Sequence, residues 1–173
     1  MCRICEGFSQ EDDLALDAAT IAEYGFLITG VGDADHSPWT YTVGLFDRVR
    51  HPELIIAGTE IVESSRLLNE IGRLVLAGRA FAAGDTWESP DGLVRFGRVH
   101  PLQFRLGTFN AWLALAEAGY LRSEGFVALQ VFVPESWLCH DCRESEPILS
   151  RPESRVGLVR ARPNRAARRA RRR

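Results

Sequence analysis

Lysine is absent from this chain of 173 residues, so all 21 of its basic side chains are arginines. Alongside abundant alanine and glycine, that absence reads as GC-rich coding rather than as a functional device. It also rules out a G-x-x-x-x-G-K phosphate loop, and no G-x-G-x-x-G stands before a helix. Neither a G-x-S-x-G elbow nor an H-E-x-x-H pair occurs, which removes the commonest local signatures of serine hydrolases and zinc proteases. No run approaches the roughly 18–20 uncharged apolar residues that a membrane span needs. The first residues lack the basic-then-apolar pattern of a secretory signal. A cytoplasmic protein with no membrane partner is the expectation. There, paired cysteines are metal ligands more often than disulfides.

What is present reads as one soluble domain with a real core, since 46% of the residues are hydrophobic. Ser9–Tyr24 carries a helix signature: Ser9 as cap, Asp12 three residues on, and Gly25 as stop. Phe26–Val31 and Trp39–Leu45 read as strands joined by the polar 32–38 loop, and Glu53–Ala57 as a short buried strand. Glu60–Ala77 has the apolar periodicity of a second helix, closed by Gly78. Phe81–Glu88 and Leu93–Val99 flank the turn signal Ser89-Pro90-Asp91-Gly92 and predict a hairpin. Asn110–Tyr120 reads as a third helix, and Phe126–Val133 as a last strand stopped by Pro134. The fold class is therefore α+β, one mixed or mainly antiparallel sheet with about three helices.

Charge divides the chain. Residues 1–150 hold 11 arginines against 22 carboxylates, a formal −11, whereas residues 151–173 hold 10 arginines against one carboxylate, a formal +9. This predicts an acidic α+β body over 1–150 and an arginine-rich tail over 151–173. The tail has too little apolar surface to order when unbound. Its cationic end comprises Arg160, Arg162, Arg165, Arg168, Arg169, Arg171, Arg172 and Arg173. Guanidinium groups pair with phosphate in a fork and stack on bases, and short arginine-rich segments order on contact with RNA. Nothing in the body reads as a DNA recognition helix, so RNA is favoured over DNA. The alternatives are a solubility tail, or a segment that neutralises the acidic body.

All four cysteines fall into two C-x-x-C pairs, Cys2 with Cys5 and Cys139 with Cys142. Two such turns complete a tetrahedron around one Zn2+, with Zn–S near about 2.3 Å. The predicted ligands are thus Cys2, Cys5, Cys139 and Cys142, forming a clasp between the two ends of the body. A closed four-thiolate site is structural or sensory, because catalytic zinc keeps a position open for water. Arg3, Arg143 and His140 stand close by in sequence to offset its charge. A redox dithiol pair and unrelated thiols are the alternatives, and the first lacks the strand-to-helix context of a thioredoxin-like motif.

Trp39-Thr-Tyr41-Thr-Val-Gly44-Leu45, His51-Pro-Glu53-Leu54 and Leu67-Leu68-Asn69 resemble the bacterial family catalogued as domain of unknown function 4262. Its members often begin, as this chain does, with Met-Cys-x-x-Cys. The likeness covers roughly residues 1–134. It implies an α+β domain and carries no assigned enzymatic activity. The cysteine pairs, arginine tail and composition together are similar to zinc-responsive actinobacterial accessory proteins that recruit a hibernation factor to the ribosome. That resemblance implies the ribosome or rRNA, with a hibernation factor, as partners. A small enzyme is the competing reading, with a pocket near the Tyr41–Leu45 strand served by His36 and His51 from their loops. Asp33, Asp35 and Glu53 offer carboxylates there for a second metal or an acid–base pair, although Tyr41 and Trp39 fit core packing and His51-Pro52 fits the start of a buried strand.

Overall fold

Residues 7–32, 37–122, 124–137 and 148–152 are described by the structure, a computed structural model. Among them, six strands form one sheet in the order β1-β2-β3-β6-β5-β4, with five α-helices around it. The strands are β1 (Leu27–Val31), β2 (Trp39–Val43), β3 (Glu53–Ala57), β4 (Thr86–Ser89), β5 (Gly92–Arg98) and β6 (Ala128–Phe132). β1-β2-β3 and β4-β5-β6 each run antiparallel, and the two halves join through one parallel pair, Glu53–Ile55 against Ala128–Gln130. The α+β class with a mixed sheet holds.

Helix α1 (Gln10–Tyr24) starts where its sequence says it should. Ser9 Oγ accepts from Asp12 N at 3.1 Å, Asp12 takes the Ser9 N–H in return, and Gly25 ends the helix at φ 89°. Alternate residues of a strand face opposite sides of the sheet, and β3 separates two cores in this way. Leu54 and Ile56 pack with Leu67, Leu68, Ile71 and Val75 of α3 (Ile61–Leu76). Ile55 and Ala57 pack with Phe109 and with Trp112 and Leu115 of α5 (Asn110–Glu117), and α1 lends Leu14, Ala18 and Ile21 to that side. Every residue of β3 is consequently buried.

Three differences from the sequence reading matter most. Leu45 begins helix α2 (Leu45–Val49) instead of ending a strand, because Gly44 turns the chain at φ 113°. Such a backbone angle suits glycine and few other residues. Phe81 lies outside β4 and stacks on Phe96 with centroids 4.4 Å apart, while Asp85 folds residues 82–85 into a turn by accepting from Ala82 N at 2.7 Å. The third difference is α4 (Leu102–Arg105), one turn long and too short to leave a periodicity. With α2 and α4 added, the described residues hold five helices where about three were expected. The hairpin itself is present with a shorter first strand and a tighter turn: Ser89 pairs with Gly92, its Oγ donating to Gly92 O at 2.7 Å and accepting from Asp91 N at 3.2 Å.

Gly72 lets α3 lie close to the sheet. A methyl group there would stand 2.4 Å from Phe26 Cζ, deep in the core. Alanine is favoured over glycine inside a helix by about 1 kcal/mol, but overpacking a core costs about 1–3 kcal/mol. The collision should win, so Gly72→Ala should lower the melting temperature. An unchanged or raised value would show that Phe26 yields freely.

Candidate functional site

Glu53 opens the central strand and is fully buried. Its Oε1 accepts from Gly44 N at 2.8 Å and from Phe46 N at 3.1 Å, and its Oε2 accepts from the Thr42 hydroxyl at 2.7 Å. Thr42 Oγ1 in turn accepts from Leu54 N at 2.8 Å. One carboxylate thus ties the end of β2, the Gly44 turn and the first turn of α2 to the start of β3. Burial pushes the Glu53 carboxyl up to about 7, although the hydrogen bonds from Thr42, Phe46, Gly44 and Leu45 all pull it down.

His51, two residues earlier, is also spoken for. Its Nε2 accepts from Phe81 N at 3.1 Å, so the ring proton sits on Nδ1, 2.7 Å from Pro52 O. Burial lowers its pKa and favours the neutral ring. The Tyr41 hydroxyl accepts from Ala111 N at 3.1 Å, and burial raises it to about 12. Trp39 Nε1 donates to Thr108 O at 3.0 Å. The groups that the enzyme reading relied on in this segment are therefore joints of the core rather than an open acid, base or nucleophile. His36, Asp33 and Asp35 lie outside the described residues.

The four predicted zinc ligands, Cys2, Cys5, Cys139 and Cys142, also lie outside them, as do Arg160 to Arg173. Among the described residues, no group of three or more His, Cys, Asp or Glu could hold a metal ion. Both borders of the second cysteine pair make defined contacts, however. Before it, the Trp137 ring lies 5.2 Å from the Arg66 guanidinium, Arg66 also bonds Asp91, and Ser136 Oγ donates to Asp91 O at 3.0 Å. After it, Leu149 is fully buried, its N–H donates to Gln130 Oε1 at 2.8 Å, and its carbonyl accepts from His100 N at 2.8 Å.

The likeness noted in the sequence now has a structural content, since two of its segments, Trp39–Leu45 and His51–Leu54, meet around Glu53. Residues 20–137 match the family described as domain of unknown function (DUF4262). The chain belongs to that family. No curated protein and no solved structure matches it. The matched span runs from inside α1 to Trp137, so both cysteine pairs and the tail stand outside the DUF4262 span, which is narrower at the start than the 1–134 expected.

A cavity of about 300 Å³ was not foreseen. Phe104, Phe109 and Phe126 form its walls, and Val99, His100 and Val127 are among its other lining residues. The three rings brace one another, with Phe104–Phe126 at 4.7 Å and Phe109–Phe126 at 4.9 Å between centroids. Phe104, Phe109 and Phe126 follow no helical or strand period across residues 99–128, so only the density of aromatics there hinted at a shared wall.

The pH dependence of stability tests the Glu53 joint. The folded state holds this proton more tightly than the unfolded chain. Its contribution is therefore full below about pH 4.5 and is lost as pH rises to about 7, on the order of 3 kcal/mol in all. His51 works oppositely: its contribution is full above about pH 6.5 and is lost as pH falls. In urea denaturation, the stability of wild type minus that of Glu53→Gln should therefore fall between pH 4.5 and 7. A difference flat across that window would show that the carboxyl does not titrate in the fold. Glu53→Ala, which leaves three buried donors without their acceptor, should be destabilising at every pH.

Proposed function

We propose that this DUF4262 protein is a non-catalytic, zinc-binding accessory protein that docks on RNA through its arginine-rich tail, with ribosomal RNA as the partner. In its most specific form it is a zinc-responsive factor that seats a ribosome hibernation factor. One observation carries the reading: all four cysteines fall in C-x-x-C pairs, one at each end of the family domain. The second pair ends nine positions before the basic segment begins at Arg151. Four thiolates suit Zn2+ as a closed site. Cys2, Cys5, Cys139 and Cys142 would hold it, and when bound it would supply a cross-link between the two ends rather than a reactive centre.

The anchoring of Trp137 and Leu149 supports a sensory version. A metal bound between those two fixed points would set the position of the tail's root. Its loss would raise the fraction of tail free to meet RNA. A tenfold change in that fraction needs only about 1.4 kcal/mol, far below the roughly 10–16 kcal/mol of a structural zinc.

The purified protein should hold about one zinc per chain, and Cys139→Ser with Cys142→Ser should lose the metal and some stability together. Metal analysis that finds full zinc retention in the double variant ends this reading. Deleting the residues after Arg155 removes eight arginines. If half of those reach phosphates on single-stranded RNA, the log–log salt slope of binding should be about −3 in the full chain and near zero without the tail. Ribosome cosedimentation should also differ between zinc-loaded and chelated protein. Equal cosedimentation would leave the metal as a structural clasp alone.

A further inference from the structure

The phenylalanine-walled cavity lies at the place where the chain leaves the body for its tail. His100 lines the cavity, and its N–H bonds the carbonyl of Leu149. Beyond Leu149 the chain turns, with Arg151 N bonded to Ile148 O at 3.1 Å, and Pro152 is the last described residue. Only one stretch of the tail is apolar. It is Val156-Gly-Leu158-Val159, flanked by Arg155 and Arg160 and followed by a run of arginine, alanine and proline. Four positions separate Pro152 from Val156, a reach of up to about 14 Å in extended chain. The other segment bordering this region, residues 138–147, is rich in cysteine and acid, holds one arginine and has no comparable apolar run.

We propose that Val156, Leu158 and Val159 seat in this cavity and hold the root of the arginine-rich segment against the body. Size and chemistry agree. The cavity is at the small end of ligand pockets and is walled mainly by apolar and aromatic side chains. A few branched aliphatic side chains would fill it and remove apolar wall from water. Gly157 adds no side chain of its own between Val156 and Leu158. The seat would act as a latch, and only its consequence for RNA rests on the reading given under Proposed function.

Nuclear magnetic resonance of the full chain, with labelled Val and Leu methyl groups, tests the seat directly. The methyls of Val156, Leu158 and Val159 should be shifted by the rings and should show cross-relaxation to Phe104 and Phe126. Trypsin should cut the Arg155–Val156 bond at least several-fold more slowly than the Arg165–Ala166 bond of the same molecule. Leu158→Asp should abolish the cross-relaxation and bring the two cleavage rates together. Methyls at random-coil shifts without ring contacts overturn the proposal, as does a cavity that takes up indole while those methyls stay unchanged. Binding of poly-uridylate at fixed low salt should tighten about threefold in Leu158→Asp. Ring contacts present with no RNA binding in either protein would support the latch and remove the RNA reading.

Discussion

A single buried carboxylate organises the centre of this fold. The β2–β3 ladder would ordinarily end where Gly44 turns the chain into α2, leaving backbone N–H groups without partners. Glu53 takes two of them, and Thr42 relays a third from Leu54. The geometry demands glycine at position 44, where φ is 113° and an added methyl would stand 2.8 Å from Ile21. α1, the β2–α2 turn and β3 are thereby locked in one arrangement, and α3 and α5 pack on the two faces that result. Taking a carboxyl out of water is costly, and removing its acceptor from three buried donors is costly too. A joint of this kind gives a specific connection rather than a large net stabilisation.

That arrangement explains which parts of the fold were legible in the sequence. α1 and α3 have caps, stops and a clear apolar side, and β3 is an uninterrupted apolar run after its first residue. The hairpin carries its own turn residues. These are local signals. Leu45 and Phe81 misled because their placement depends on distant partners, namely the Glu53 carboxylate and the Phe96 ring. The same holds for chemistry. His51 and Glu53 could be read as an acid–base pair or as the entry to a buried strand, and each is consumed by backbone groups, with the Thr42 hydroxyl added at Glu53, that no spacing rule reveals. The Phe104, Phe109 and Phe126 wall is assembled from α4, the start of α5 and the approach to β6. Only the folded chain brings it together.

Both cysteine pairs and the tail stand outside the matched family span, and the domain holds contacts on either side of the second pair. Trp137 is pinned on Arg66 beside the hairpin, and Leu149 is pinned on Gln130 and His100 over the opposite face of the sheet. The segment between them thus starts and ends on residues that contact the sheet and the hairpin.

Two forces can hold that tail to its own body, and they differ in kind. The first is charge, a formal +9 over residues 151–173 against −11 over residues 1–150. Attraction between exposed charges is screened beyond about 8 Å at physiological ionic strength, and individual surface pairs contribute about 0–1 kcal/mol. Charge alone would therefore release the arginines under the same salt that weakens their hold on phosphate, and could not favour one state over the other. Apolar contact is not screened in this way, and salting-out ions strengthen it. Under the function proposed above, a contact that holds the tail at physiological salt and still yields it to RNA would be apolar and close to the tail's root. The cavity beside Leu149 stands at that position.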